Sequence, residues 1–112
     1  MIDIERGGGS MAKKALEQLS ETMFYVLMAF LHGDFCGAEA AEWIDRRTNG
    51  RIQMGPGTLY TILAQFEAAD VLKPTETLGR RKHYHITEKG ITLYHAELTR
   101  LRQCVADAEG GD

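Results

Sequence analysis

Short polar residues follow Pro56 at a spacing that places them on one side of a helix. Thr and Gln side chains donate and accept hydrogen bonds, and a threonine methyl group can contact the methyl group of thymine. At 100° per residue, that side is small and polar and carries no Lys or Glu. The major groove of DNA admits such a surface, so these residues are the candidate base-reading set. The set comprises Gly57, Thr58, Tyr60, Thr61 and Gln65, with Ala64 among them.

Two members of this set have simpler interpretations. Thr58 could do no more than satisfy free backbone amides at the start of the helix, and we weigh that equally with base contact. The ring of Tyr60 could rest on the core while its hydroxyl contacts DNA, and these alternatives also stay open.

A second chemical signal is the cationic run Arg80, Arg81 and Lys82, which follows Gly79. In an arbitrary protein such a run is a solvated turn, whereas beside a groove-facing helix it is suited to phosphate or minor-groove contact. The net charge of −3 weighs against a strongly basic nucleic-acid binder. A local basic tip on an acidic body still predicts modest, salt-sensitive binding to phosphates.

The sequence gives little support for a metal site or a catalytic site. His83 and His85 alternate along a predicted strand, but no further ligand stands at a suitable spacing. Cys36 and Cys104 lie far apart, which suggests neither a disulfide framework nor a zinc cluster. We therefore predict no metal and no cofactor. The sequence shows no nucleophile–base pairing and no phosphate-binding loop, so we also predict that the protein is not an enzyme.

The candidate base-reading set must be held by a helix that starts at Pro56, a residue suited to a first helical turn. Leu59, Ile62, Leu63 and Phe66 recur at helical spacing and form its buried side. By itself this stretch would be an ordinary amphipathic surface helix. The sequence after the helix changes that interpretation, because it predicts a hairpin with a strand over 71–77, a turn over 78–81 and a return strand over 82–86. A helix followed by a hairpin with a basic tip is typical of winged helix-turn-helix proteins. We call this hairpin the wing.

Two helices are predicted before this unit, after a weaker helix over 12–19. The first contains Met23 to Leu31, with Ser20 as its N-cap, and the second spans Gly37–Arg47 and closes at 48–50. Residues 1–10 end in a Gly-Gly-Gly-Ser linker before Met11, which favours an artificial leader over the alternative, a natural disordered extension. The domain prediction is thus a leader over 1–10, a DNA-binding domain over 11–87 and a final helix over 88–109.

The final helix is predicted to begin at Glu88 after a Thr87 cap. Its apolar residues are alternately three and four positions apart. This spacing fits either a two-stranded coiled coil, with the apolar seam between two copies of the chain, or packing of the helix on its own domain. We favour a homodimer, because so small a domain has little core left for a helix of this length. The predicted seam consists of Ile91, Tyr94, Leu98, Leu101 and Val105. A small-molecule effector pocket is hypothesised between the final helices of two copies, near Tyr94 and Leu98, with Phe24 or Trp43 as a further wall.

The chain of 112 residues is long enough for one domain with a modest core, and 44% of its residues are hydrophobic. No apolar run approaches the roughly 20 residues of a membrane span. The start is polar and lacks a secretory signal. These features predict a cytoplasmic protein with no membrane partner.

Three segments in order resemble the PadR family of transcriptional regulators in its short form. They are Gly55 to Tyr60 with Leu63, Arg80 to Tyr84, and Thr87 to Gly90. The resemblance covers residues 19–102 and implies a mainly α fold with a small β-hairpin, a winged helix-turn-helix domain plus a C-terminal dimerisation helix. It also implies a homodimer that represses transcription at a palindromic operator and is released by a small molecule or a change in cellular state.

The resemblance places Gly57, Thr58, Tyr60 and Thr61 on the recognition helix. It places Gly79 to Lys82 on the wing and Ile91 to Val105 on the dimerisation helix. The chain departs from the family where Gly37-Ala38 replaces a frequent Gly-Tyr, where Thr61 replaces Pro, and where Asp70 replaces Gly. The expected function is sequence-specific regulation through double-stranded DNA. The alternative is a winged-helix protein–protein module that does not bind DNA.

Overall fold

The computed structural model describes residues 19–79 and 81–110, except for the side chains of residues 76–78. Within these residues the chain forms four helices and a three-stranded antiparallel sheet. The elements are α1 (Glu21–His32), β1 (Phe35–Cys36), α2 (Gly37–Arg47), α3 (Pro56–Ala68), β2 (Leu72–Leu78), β3 (Arg81–Ile86) and α4 (Glu88–Glu109). The predicted fold class, mainly α with a small β-hairpin, is confirmed. The leader over 1–10 and nearly all of the helix predicted over 12–19 lie outside the described residues.

Helix α1 begins where the Ser20 side chain accepts a hydrogen bond from the Met23 backbone N–H at 3.1 Å, which confirms the predicted cap. Its buried residues include Val26, Leu27 and Phe30, so the predicted core helix is also confirmed. Helix α1 contacts α2, the sheet and α4, and it is therefore apolar on more than one side.

Helices α2 and α3 approach each other closely at Gly37. A Cβ atom built on Gly37 would lie 3.2 Å from the Tyr60 ring and 3.3 Å from a Leu63 methyl group. The absence of a side chain at Gly37 therefore allows the helix-turn-helix packing. Helix α2 spans the predicted residues, and the turn after it contains Asn49 and Gly50 with φ of 53° and 77°.

The sheet has the strand order β1-β3-β2, so β3 lies in the centre. Strand β1 was not predicted, because two residues carry too little pattern. Strands β2 and β3 each differ by one residue from the predicted bounds, which is within the usual uncertainty of strand ends. Asp70, which replaces a frequent Gly, adopts a left-handed conformation with φ of 66° between α3 and β2.

Helix α4 begins where the Thr87 side chain accepts a hydrogen bond from the Gly90 N–H at 3.0 Å, as predicted. A Cβ atom on Gly90 would lie only 2.6 Å from the Val71 carbonyl oxygen, so the start of α4 rests directly on the end of the α3–β2 connection. Further along, the rings of Tyr94 and Phe24 stack with centroids 5.0 Å apart. The first half of α4 therefore packs on α1 of the same chain. None of the described helices combines the length and the apolar character needed to span a bilayer.

Candidate nucleic-acid interface

Helix α3 is divided into a buried side and an exposed polar face. Leu59, Ile62, Leu63 and Phe66 are buried. The side chains of the polar face are exposed, and Tyr60 is the most prominent apolar one, with 59% of its surface accessible. Core packing thus holds α3 by one side and leaves the other free for a partner. The polar face comprises Gly57, Thr58, Tyr60, Thr61, Ala64 and Gln65.

The start of α3 is open to solvent. Its N-cap is Gly55, so no side chain caps the first amides. Cβ atoms added to Gly55 or Gly57 would meet nothing within 4 Å. Packing within the chain therefore does not require a glycine at position 57. Uncapped amides at a helix N-terminus are suited to phosphate oxygens, which the partial positive charge of the helix end also favours.

Thr61 has a defined orientation on the polar face. Its hydroxyl donates to the Gly57 carbonyl oxygen at 2.9 Å, one turn back along α3. The hydroxyl proton is therefore engaged within the helix, while the oxygen retains lone pairs that can accept. In this rotamer Thr61 offers an outside group an acceptor and a methyl group.

The wing turns at Gly79, where φ is 64°, and Leu78 pairs with Arg81 across the turn. Gly79 is exposed, whereas Arg80 lies outside the described residues. The next two cations of the run have protein partners: Arg81 Nη1 lies 4.0 Å from Cys36 Sγ, and Lys82 Nζ lies 3.2 Å from a Glu67 carboxylate oxygen on α3. Its hydrogen bond to Glu67 is the main reason why the pKa of Lys82 is raised.

A groove of about 400 Å³ lies between the polar face and the wing. Tyr60 lines it from α3, Arg81 and Lys82 line it from β3, and the start of α2 forms its floor. The basic strand of the wing therefore lies beside the polar face, and the two surfaces are continuous.

A cluster that sequence reasoning missed lies at the edge of this groove. His83 Nε2 is 3.3 Å from Glu39 Oε1, and the same carboxylate accepts a hydrogen bond from the Cys36 backbone N–H at 3.0 Å. That backbone hydrogen bond is the main cause that lowers the pKa of Glu39. His85, two residues further along β3, instead lies 2.7 Å from Asp34. The two histidines thus have different carboxylate partners.

The predicted seam on α4 is partly covered by the chain itself. Tyr94 stacks on Phe24, and Leu98 and Leu101 are half-buried. Ile91 and Val105, at the two ends, have 36% and 54% of their surface accessible. Both predicted arrangements therefore retain support, since the middle of the stripe packs on its own domain while its ends stay available.

The aromatic residues named as effector walls lie in two different places within one chain. Phe24 lines a groove of about 360 Å³ together with Leu101 and Glu97, a carboxylate that is 94% buried and bonded to Arg100 at 2.6 Å. Trp43 lies elsewhere, against His32 with ring centroids 4.7 Å apart, at the opposite end of α1 from Phe24. Within one chain Phe24 and Trp43 therefore line different grooves, and the hypothesised pocket between two copies stays a prediction.

The sequence profile of the transcriptional regulator PadR-like family matches residues 26–96. The chain belongs to the PadR-like family. The match runs from the middle of α1 to the first half of α4 and thus includes α3, the wing and the residues of the groove between them.

Solved structures resemble this PadR-like protein over most of its length. A transcriptional regulator from Clostridium thermocellum is 26% identical with a TM-score of 0.66, and the match covers 78% of this chain and 90% of that one. A PadR family transcription regulator from Clostridium difficile is 19% identical with a TM-score of 0.65, over 82% and 100% of the two chains. The second likeness supports the fold alone.

A curated relative is an uncharacterized 37.1 kDa protein in a transposon of Streptomyces fradiae, which is 31% identical over 78 residues. The match covers 70% of this chain but only 22% of that protein. The chain thus spans about a fifth of the length of this relative.

Proposed function

We propose that this PadR-like protein is a sequence-specific DNA-binding repressor that acts as a homodimer in the cytoplasm and has no enzymatic activity. The observation that carries the proposal is the continuous surface formed by the polar face of α3 and the basic strand of the wing. Family membership supports a role in transcription regulation, and the geometry supplies the element that would contact DNA.

In this proposal α3 enters the major groove as the recognition helix. Thr58, Thr61 and Gln65 contact base edges, and Thr61 is an acceptor for an amino group of a base. The open amides at Gly55 and the wing cations bind phosphates, which positions the protein without reading sequence. The absence of a side chain at Gly57 lets the DNA approach the start of α3.

Dimerisation through α4 would set the shape of the operator. In a two-fold dimer, two recognition helices enter successive major grooves about 34–36 Å apart, so the operator is an inverted repeat. The exposed ends of the α4 stripe, Ile91 and Val105, are the surfaces that a second copy would cover. The proposed organisation is thus a DNA-binding domain over 11–87 and a dimerisation helix over 88–109.

An effector would bind where it can alter the angle between two copies. The groove beside Phe24 and Leu101 lies next to the dimerisation stripe, so we assign a possible effector to this groove and to Tyr94 and Leu98 at its side. A ligand bound here would act through the contact between α1 and α4. Trp43 lies apart from this groove and is not a wall of it.

A second candidate function is a protein–protein module that uses the same face. The net charge of −3 and the exposed ring of Tyr60 favour this alternative, because protein interfaces are rich in tyrosine and do not require a basic surface. Retention of duplex DNA separates the two functions, since a protein module would not retain it.

The experiment compares Thr61→Ala and Arg81→Ala in binding to the DNA upstream of the protein's own gene and to random duplex. Thr61→Ala should lose about 1–3 kcal/mol on the specific site and little on random DNA. Arg81→Ala should weaken binding to both and reduce the salt slope by about 1. Equal losses on both duplexes for Thr61→Ala would refute the base-reading role.

A further inference from the structure

Three metal-ligating side chains from two separate parts of the chain converge beside the groove. They are Cys36 from the end of β1, Glu39 from the first turn of α2, and His83 from the centre of β3. One ligand atom of each, a sulfur, a carboxylate oxygen and an imidazole nitrogen, lies within 4.8 Å of the other two. The Cys36 residue is buried with 3% of its surface accessible, and it lines the groove between α3 and the wing, through which an ion can reach it.

The backbone fixes two of these side chains on the same side of the sheet. Cys36 and His83 are direct partners in the antiparallel pairing of β1 with β3, and side chains of direct partners stand next to each other. Glu39 is folded back over the pair by the hydrogen bond that its carboxylate accepts from the Cys36 N–H at 3.0 Å. The convergence therefore results from strand register and from the start of a helix, and it does not depend on long side chains meeting by chance.

The hydrogen bonds of His83 indicate which ring nitrogen is available. His83 Nδ1 lies 3.2 Å from the Arg81 carbonyl oxygen. A carbonyl can only accept, so Nδ1 carries the proton in this hydrogen bond, and Nε2 is left with a lone pair in the neutral ring. Histidines that bind metals are commonly fixed in this way, with the other N–H donated to a backbone carbonyl.

The lone pair of Nε2 faces the Glu39 carboxylate oxygen at 3.3 Å. Two acceptors at this distance repel each other unless a cation lies between them or beside them. A proton on Nε2 is one solution, and a metal ion that binds both atoms together with the thiolate is the other. In the first solution the Cys36 thiol remains a hydrogen-bond partner of Glu39 at the start of α2, and in the second its thiolate completes the ligand set.

We propose that Cys36, Glu39 and His83 form a binding site for Zn²⁺ or a divalent ion with the same ligand preference. Sulfur, imidazole and carboxylate are the ligands that Zn²⁺ takes in proteins, and three protein ligands leave a fourth position for water. Tetrahedral coordination with bonds of about 2.0–2.3 Å requires ligand atoms roughly 3.3–3.8 Å apart. The half-exposed Glu39 side chain is free to make most of the required contraction.

The guanidinium of Arg81 would compete with such an ion for the sulfur of Cys36. It lies 4.0 Å from Cys36 Sγ and places a positive charge beside the sulfur. Because Arg81 is exposed, the side chain can withdraw into the groove when a divalent ion binds. Removing the guanidinium should therefore strengthen metal binding, an effect in the direction opposite to that of general damage to the site.

The test is a titration of the reduced full-length protein with Co²⁺, a spectroscopic substitute for Zn²⁺. We expect one equivalent to produce a thiolate-to-cobalt absorption band that Zn²⁺ abolishes, and Zn²⁺ to raise the thermal midpoint. Cys36→Ser should lose the band, and Glu39→Gln and His83→Gln should each weaken binding by at least about tenfold. Arg81→Gln should bind more tightly than the wild type.

Cys104→Ser and His85→Gln are the matched controls, since they remove the other cysteine and the neighbouring histidine of β3, and both should bind like the wild type. Should Cys36→Ser fail to fold, His83→Gln and Arg81→Gln still give opposite shifts in Co²⁺ affinity. The proposal is overturned if Co²⁺ gives no stoichiometric band, if the band survives Cys36→Ser, or if it disappears in Cys104→Ser. None of these readouts requires DNA, so their failure is separate from failure of the proposed function.

Discussion

The ammonium nitrogen of Lys82 on β3 lies 3.2 Å from a carboxylate oxygen of Glu67 on α3. This ion pair connects the wing to the helix that carries the polar face. It also pairs one wing cation with an acid, so the unpaired positive charge of the wing is smaller than the sequence Arg80-Arg81-Lys82 implies. If the wing binds phosphates as proposed, a change on α3 should strengthen that binding.

Glu67→Gln is expected to strengthen DNA binding and to make it more sensitive to salt. Without the carboxylate, Lys82 is free to pair with a phosphate, and each phosphate neutralised adds about 0.9 to the slope of log affinity against log salt. Binding isotherms at several salt concentrations measure this slope. Glu42→Gln, which removes an acid paired with Arg46 on α2, is the control and should change the slope little. An unchanged slope for Glu67→Gln would mean that Lys82 does not reach DNA.

Gly57→Ala should separate stability from binding. A Cβ atom at this position meets nothing within 4 Å, and alanine is the better helix former, so the free energy of unfolding should rise by up to about 1 kcal/mol. The added methyl group would nevertheless stand between α3 and the DNA, and affinity should fall by about tenfold, or roughly 1.4 kcal/mol. Denaturant unfolding and DNA binding of the same preparation measure both effects. Undiminished affinity would show that DNA does not approach Gly57 closely.

Val105→Lys should dissociate the proposed dimer. Val105 is 54% exposed in the isolated chain, and the two-fold axis places the substitution in the interface twice. Each copy loses about 1.5–3 kcal/mol of the free energy gained by burying the valine side chain, so the dissociation constant of the dimer should rise at least roughly 100-fold. Sedimentation velocity over a range of concentrations measures it. Thr99→Lys, on the opposite side of α4, should leave the association unchanged, and equal effects of the two variants would argue against this seam.

Glu39→Gln should destabilise the protein at neutral pH but not in acid. The pKa of Glu39 is lowered below its ordinary value of 4.5, chiefly by the hydrogen bond from the Cys36 N–H. A carboxyl group whose pKa is depressed on folding stabilises the native state above its unfolded pKa, and this contribution disappears as the pH falls through the folded value. The difference in unfolding free energy between variant and wild type should therefore shrink below pH 4.5.

Urea unfolding across this range, with a chelator present, measures the effect of Glu39 without any contribution from metal. Glu109→Gln, in the exposed last turn of α4, corrects for the general loss of one negative charge. A difference that is independent of pH would show that the charge of Glu39 does not contribute to stability.

The helices could be predicted from the sequence because their signals are local. Pro56 and the spacing of Leu59, Ile62, Leu63 and Phe66 define α3 within one segment, and Ser20 and Thr87 mark the starts of α1 and α4. The exposed polar face followed from the same periodicity, since whatever is not on the buried side of such a helix faces outwards.

The cluster at Cys36 could not be predicted in this way. Its members are brought together by β1, a strand of two residues whose pairing with β3 leaves no repeat in the sequence. The stack of Phe24 on Tyr94 likewise joins residues 70 positions apart. The burial of the Glu97 side chain beside Arg100 was not predicted, because a charged residue in a polar stretch of a helix is expected to be exposed.

Selection from a pool of random duplexes by the full-length protein tests the central claim most directly. If the polar face of α3 reads DNA in a two-fold dimer, several rounds should enrich an inverted repeat whose half-site centres lie about 10–10.5 base pairs apart. The enriched duplex should bind more weakly to Thr61→Ala than to the wild type. A pool that stays random after selection, or a protein that retains no duplex even at low salt, would contradict the claim.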